Sequence, residues 1–180
     1  MKKILALVLA SVLALTALNV LAEGTPTKTV DDLLHVEVVN TEAVDVIVVE
    51  TENAVVDDFL GSLQAAADKN ASIAEALPEA AIAALPEDAA VTSVVEVIPL
   101  KVVKTTEEIE AETVIVNMKL ATDFTGKTFF VLLGIVAPDG IKDWRRAPAV
   151  ALEDGSVNVE LNKETLNWLG DNEFLAMLVE

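Results

Sequence analysis

The sequence predicts an α+β protein that is mainly β: an antiparallel β-sandwich with a helical block between its second and third strands. About eight runs of β-branched or alternating residues recur along the chain, with turn residues between them. These runs do not alternate with helices as βαβ units do, which favours antiparallel pairing. Between the second and third runs, the apolar residues recur at helical spacing instead.

The first 22 residues have the pattern of a Sec signal peptide. Two lysines precede an apolar run from Ile4 to Ala22, and small residues stand at Val20 and Ala22, three positions and one position before the predicted cleavage. We therefore expect a bacterial protein that is secreted or located in the cell envelope, with a polar leader at residues 23–32. The alternative is that the run stays as a membrane anchor, because a bilayer requires roughly 20 apolar residues.

Residues 33–90 predict two strands followed by helices. LLHVEVVN at 33–40 and VDVIVVE at 44–50 are rich in β-branched residues, which is typical of a strand pair. A helix then follows Thr51, a suitable N-cap. The ALPE at 76–79 returns at 84–87, and each proline would break a continuing helix, so we expect short helices separated by turns. The apolar face of the first helix would consist of Val55, Val56, Phe59, Leu60 and Leu63.

The sequence from residue 91 onward is predominantly of the strand type. Long strands are predicted at 91–104, 112–121 and 127–137. The third is continuously apolar, so it should be buried on both faces. The segment FTG joins the second strand to the third, and APDG forms a turn after the third.

The remaining segments predict a hairpin, a short helix and a final strand. Asp154 and Gly155 separate two alternating runs, which is a strong hairpin pattern. The helix KETLNWLG should end at Gly170 as its C-cap. The closing EFLAMLVE is the last predicted strand.

Two domain arrangements are compatible with this order of elements. In the first, residues 33–90 form a small α/β region with Ala/Pro-rich helices beside a β-sandwich module at 91–180. In the second, all strands form one sandwich that carries a helical insertion. The change in composition near residue 90 favours the first arrangement.

The C-terminal half resembles the immunoglobulin-like β-sandwich modules of bacterial secreted and surface proteins. The resemblance depends on GKTFFVLLGIV, the following Trp144, the VALEDGSVNVEL hairpin and the EFLAMLV strand. It covers about half of the chain, and the Cys…Trp…Cys pattern of true immunoglobulin domains is absent. The resemblance implies adhesion or display rather than catalysis.

Charge and composition exclude several classes of function. Removal of residues 1–22 takes away two lysines and no acid, so the net charge of −18 becomes −20. A field of this sign disfavours nucleic acid and anionic membranes as partners. The chain has no cysteine, which excludes zinc fingers, iron–sulfur clusters and thiol chemistry. No D-x-D-x-D-G calcium loop is present, and we expect neither a metal nor a cofactor.

The sequence offers no convincing catalytic residue. The single histidine, His35, alternates with Glu37, so both should lie on the same face of one strand. No G-x-S-x-G nucleophile turn is present. We therefore expect no catalytic residue and a protein that is not an enzyme.

The candidate ligand-binding residues are Trp144, Arg145 and Arg146, within the segment DWRRAP (143–148). This segment holds both arginines of the chain. We predict a loop at one end of the sandwich, with Trp144 available for stacking and the guanidiniums available for a carboxylate or phosphate. In the alternative, Trp144 lies in the core and the arginines pair with the protein's own carboxylates. We assign Trp168 to the core.

The function predicted from these observations is extracellular binding or interaction, with a cell-wall component or an extracellular protein or glycan as partner. One alternative is an exported hydrolase or inhibitor-like protein that uses carboxylates. The other is a structural component of a cell-envelope assembly in which strand edges pair between copies. The sequence does not predict an oligomeric state.

Overall fold

The computed structural model describes residues 35–49, 53–69, 71–106 and 111–180, without the side chains of residues 67, 73 and 74. The predicted signal peptide and leader lie outside these ranges. None of the described helices is long and apolar enough to span a membrane. The strands are β1 (His35–Val38), β2 (Val44–Val48), β3 (Val94–Lys104), β4 (Thr113–Lys119), β5 (Phe130–Ala137), β6 (Gly140–Ala147), β7 (Ala149–Ala151), β8 (Val157–Asn162) and β9 (Glu173–Val179). The helices are α1 (Ala54–Asp68), α2 (Ile73–Ala76), α3 (Glu79–Ala83) and α4 (Lys163–Leu169).

The strands form two antiparallel sheets. The four-stranded sheet has the order β1-β4-β8-β7, and the five-stranded sheet has the order β2-β3-β9-β5-β6. Every pair of neighbouring strands is antiparallel. The predicted mainly β, antiparallel two-sheet architecture is confirmed.

The inner faces of the two sheets enclose the larger of two apolar clusters. Alternate residues of each strand point into it, as the two-residue period of a strand requires. On β3 these are Ile98, Leu100 and Val102, and on β4 they are Val114, Val116 and Met118. Phe124, from the connection between β4 and β5, is fully buried in the same cluster. These side chains hold the two sheets together.

The second cluster lies on the outer face of the five-stranded sheet, where helices cover it. Val56, Leu60 and Leu63 of α1 pack there with Leu132 of β5 and Leu175 of β9. The sheet is therefore covered by a sheet on one side and by helices on the other. Because β5 carries buried residues on both faces, the predicted burial of this strand on both sides is confirmed.

Both N-terminal strands belong to these sheets. β1 pairs with β4, with His35 opposite Lys119, and β2 pairs with β3, with Val44 opposite Lys104. Each sheet therefore contains strands from both of the regions predicted at 33–90 and 91–180. The strand pairing therefore agrees with the second of the two arrangements, in which all strands form one sandwich, because β1 and β2 pair with strands of the C-terminal region.

Pro99 and Asp45 restrict the backbone hydrogen bonds that the edge strand β2 can form. Val49 donates its backbone N–H to the Pro99 carbonyl at 2.9 Å, but proline has no N–H to return, and β2 ends at Val48. On the other side of β2, which faces away from β3, the Asp45 carboxylate accepts a hydrogen bond from the Val46 N–H at 2.8 Å. An edge amide satisfied by its neighbour's side chain is less available to a further strand.

Polar side chains define the helix ends near the sheets. The Asn53 side chain accepts from the Val55 N–H at 3.0 Å at the start of α1, whereas the predicted cap, Thr51, lies outside the described residues. The Asn162 side chain accepts from the Thr165 N–H at 2.8 Å and begins α4. α4 ends at Gly170, so the predicted C-cap is confirmed.

Candidate functional site

The segment DWRRAP lies on a strand, and its prediction as a loop is wrong. Residues 143–147 belong to β6, the edge strand of the five-stranded sheet. β6 forms a hairpin with β5 through the turn at Pro138 and Asp139. The sequence does not reveal this strand because only Trp144 and Ala147 of its eight residues are buried. A strand with so few buried residues shows no apolar alternation.

A β-bulge determines the direction of Trp144. Leu133 lies opposite Arg145 and Ile135 lies opposite Lys142, so Asp143 and Trp144 together face the single residue Gly134. Asp143 has a φ of 52°, a left-handed conformation that aspartate tolerates better than most residues. The extra residue changes the alternation of the strand. Trp144 consequently points to the helix-covered face.

Trp144 is a core residue in this structure. It is only 7% exposed, and its ring centroid lies 5.7 Å from that of Phe59 on α1. Its indole nitrogen is buried and has no hydrogen-bond partner among the described residues. The indole is not available for stacking on a ligand, so this part of the predicted site is corrected.

Arg145 contacts a different tryptophan, Trp168. Its guanidinium carbon lies 4.7 Å from the centroid of the Trp168 ring, a cation–π distance. Its Nη1 donates to Oε1 of Glu164 at 3.2 Å. Trp168 packs against the inner cluster and is only partly buried. Trp168, predicted from the sequence to lie in the core, contacts Arg145. Trp144, predicted to be available for stacking on a ligand, lies in the core.

Arg146 points away from Arg145. It lies opposite Leu132, a residue of the helix-covered cluster, whereas Arg145 lies opposite Leu133, a residue of the inner cluster. Arg146 is exposed, and within the described parts of the chain it forms no ion pair. The structure therefore does not bring the two guanidiniums together as one clamp, but places them on opposite sides of an edge strand.

Sequence reasoning alone misses two residues of this site, Glu164 and Trp168. Both lie on α4, four positions apart, and residues at this spacing share one side of a helix. The pattern is visible in KETLNW. By itself this pattern does not predict a binding site, because nothing in the sequence indicates that α4 lies against β6.

Glu96 is the described carboxylate with the largest change in proton affinity. Its Oε1 accepts from the Ala121 N–H at 3.2 Å. Burial raises the pKa of Glu96 to about 7, although the backbone amides of Ala121 and Thr122 act in the opposite direction. These partners are amides of a loop and not a second carboxylate, so Glu96 forms no acid–base pair with another described residue.

The remaining features of the described residues offer little to a ligand or a metal. A cavity of about 10 Å³ lies between the sheets and is lined by apolar side chains, among them Leu100, Met118 and Phe174. No group of three or more metal-ligating side chains occurs in the described ranges. The prediction that His35 and Glu37 lie on the same face of one strand is confirmed: His35 Nε2 lies 3.2 Å from Glu37 Oε2 on the surface of β1.

The Arg145 guanidinium is consequently the group with the clearest binding chemistry. Guanidinium carries five N–H donors in a planar arrangement, and among the described residues Glu164 is the side chain that accepts from them. Such a group can bind a carboxylate or a phosphate. Comparison with known proteins found no matching family model, no matching curated protein and no matching solved structure.

Proposed function

We propose that the protein is an exported, non-catalytic bacterial binding module, and that the β6 edge with Arg145 and Arg146 recognises an anionic cell-wall component. The observation that carries this proposal is the exposure of the two arginines and the contacts that they form. Arg145 is held on Trp168 and forms one exposed ion pair, with Glu164, whereas Arg146 is exposed and forms no ion pair among the described residues. In a chain with a net charge of −18, internal pairing of both would be the simpler outcome.

The proposal includes an immunoglobulin-like layout, which the strand order supports. In immunoglobulin sandwiches one sheet has the order A-B-E-D, and the other contains G, F, C and, in variable types, C′. The order β1-β4-β8-β7 follows A-B-E-D, and β9-β5-β6 follows F-C-C′, with the same succession along the chain. One departure is β3, which occupies the place of G beside β9 but precedes β4 to β9 in sequence. The other is β2, an additional edge strand beside β3.

Export remains part of the proposal on the basis of the sequence. The lysine-led apolar run and the small residues before position 23 support a cleaved signal peptide. The absence of cysteine means that the exported chain depends on its apolar clusters for stability, since it has no disulfide. The proposed location is the cell envelope or the extracellular space.

The two alternatives receive less support from the described residues. A hydrolase with paired carboxylates would require two converging acids, whereas Glu96 faces loop amides. An assembly through strand edges would require open edges, whereas Asp45 occupies an amide at the β2 edge and β6 carries a bulge. Bulges and edge carboxylates are devices that oppose strand addition.

The test is co-sedimentation of residues 23–180 with purified bacterial cell walls at low and high salt. The double variant Arg145→Ala/Arg146→Ala should lose most of the binding. The matched control, Lys104→Ala/Lys119→Ala, removes the same charge from two other exposed positions and should retain it. High salt should weaken binding of the native protein because exposed charge pairs are screened.

The proposal is abandoned if the native protein does not sediment with the walls. It is also abandoned if the arginine and lysine variants lose binding equally, because the effect would then reflect overall charge. Circular dichroism of both variants at the same concentration verifies that they are folded.

A further inference from the structure

We propose that Arg145, stacked on Trp168, is an oxyanion-binding site, and that Glu164 occupies this site in the free protein. A carboxylate or phosphate of the ligand would take the position of the Glu164 carboxylate. This inference rests on the proposed function, because it specifies the ligand chemistry of the β6 edge.

The packing of Trp168 fixes the orientation of the Arg145 guanidinium. Trp168 packs against the inner cluster and lies between Leu166 and Leu169, which are both buried, so the helix holds its ring in place. The Arg145 guanidinium lies 4.7 Å above that ring. An arginine that is already ordered loses less conformational entropy when it binds a ligand.

The contact between Arg145 and Glu164 marks the position of a bound oxyanion. The Nη1–Oε1 distance of 3.2 Å shows where an oxyanion lies when it meets this guanidinium. The Glu164 side chain is 82% exposed and that of Arg145 is 44% exposed. Ion pairs at such exposure are weak, so an external oxyanion can replace Glu164 at little cost.

The chemistry of guanidinium and the charge of the chain indicate the class of ligand. Guanidinium binds carboxylate and phosphate through the same planar pair of N–H donors. The net charge of −18 repels any single anion at long range. A polymer with several oxyanions offsets this repulsion through repeated contacts, and Arg146 provides a second cation on the opposite side of β6. The ligand class is therefore a polymer that bears phosphate or carboxylate groups.

The test observes Arg145 directly. Acetate and inorganic phosphate are titrated at constant ionic strength while NMR follows the Arg145 side-chain N–H and the Trp168 indole N–H. In Glu164→Gln, both signals should shift in a saturable way, with affinity about two- to five-fold above that of the native protein, the range of an exposed ion pair. Arg145→Lys should abolish the shift of the Trp168 signal.

The matched control is Glu160→Gln, which removes the same charge from an exposed position on β8. It should change the affinity by less than about two-fold, since this exposed carboxylate forms no ion pair among the described residues and its charge is screened. A preference for inorganic phosphate over acetate would indicate a phosphate-bearing wall polymer, and the reverse preference would indicate a carboxylate-bearing one.

The inference is overturned if neither signal shifts in Glu164→Gln, or if Glu160→Gln gains as much affinity as Glu164→Gln. Sedimentation with cell walls separates this result from failure of the proposed function. Saturable shifts without sedimentation leave the site standing and overturn the function. Sedimentation without shifts leaves the function standing and overturns the site.

Discussion

The indole of Trp144 lies directly against the α-carbon of Gly134 across the β5–β6 pair. A β-carbon at Gly134 would stand 2.8 Å from Cε2 of Trp144 and 2.6 Å from Cγ2 of Ile141. Real β-carbon contacts are not this short, so the bulged edge strand and its tryptophan require glycine at this position. Gly134 and Trp144 lie beneath α1, where the ring of Phe59 contacts the ring of Trp144.

Gly134→Ala should therefore destabilise the protein by about 1–3 kcal/mol, because an added methyl in a packed core forces its neighbours to move. Urea denaturation monitored by tryptophan fluorescence measures the change. A second variant, Gly134→Ala/Trp144→Leu, should show less than the sum of the two single effects. Full additivity of the single changes would contradict the contact.

Gly61→Ala should instead increase the free energy of unfolding. Gly61 lies within α1, is exposed, and a β-carbon added there would have no other atom within 4 Å. Alanine favours a helix interior over glycine by roughly 0.8–1 kcal/mol. The same urea experiment should show a gain in the free energy of unfolding of up to about this size, and a loss would show that α1 does not hold this residue as an ordinary helical position.

A fragment of residues 111–180 should not fold by itself. It keeps β4 to β9 but lacks β1 and β3, which pair with β4 and β9. Leu175 and Met177 of β9 would also lose their contacts with the helices that cover them. Thermal melting followed by circular dichroism should show no cooperative transition for the fragment and a clear one for residues 23–180. A cooperative transition in the fragment would instead show that β4 to β9 fold independently of β1, β2 and β3.

The stability of the protein should decrease as the pH rises from about 5 to 8. The pKa of Glu96 is about 7 in the folded chain, against 4.5 for an unperturbed glutamate. The folded state therefore binds this proton more tightly than the unfolded state. The stabilisation is complete below pH 4.5 and is lost as the pH passes through 7, with a change of up to about 3 kcal/mol.

Glu96→Gln isolates this effect, since glutamine keeps an oxygen for the Ala121 N–H but cannot ionise. Its free energy of unfolding, measured in urea at about pH 5 and about pH 8 on either side of the titration, should be nearly constant where that of the native protein falls. Glu153→Gln, at an exposed position, should behave like the native protein. Parallel slopes for the native protein and Glu96→Gln would show that another group titrates.

Elements with a strong local period could be predicted from the sequence. The apolar face of α1 and the doubly buried β5 follow from the spacing of their own residues, and the β-branched run of β3 is evident despite Pro99. β6 could not be predicted because a bulge at Asp143 and Trp144 interrupts its period. Local pattern carries no information about such a bulge until the partner strand is known.

The candidate site could be predicted only in part for a related reason. Arg145 and Arg146 stand out in an acidic chain, but the burial of Trp144 and the partial exposure of Trp168 depend on which elements pack together. The order of strands is a long-range property too. Nothing in the sequence indicates that β9 lies between β3 and β5, although the composition of each strand identifies it.

The central position of β9 has a consequence for the order of events during synthesis. β3 and β5 are made long before residues 173–179, yet each pairs with these residues along most of its length. Until they leave the ribosome, the middle of the five-stranded sheet is missing and its neighbours lack a partner. Formation of this sheet is thereby postponed until residues 173–179 have been synthesised.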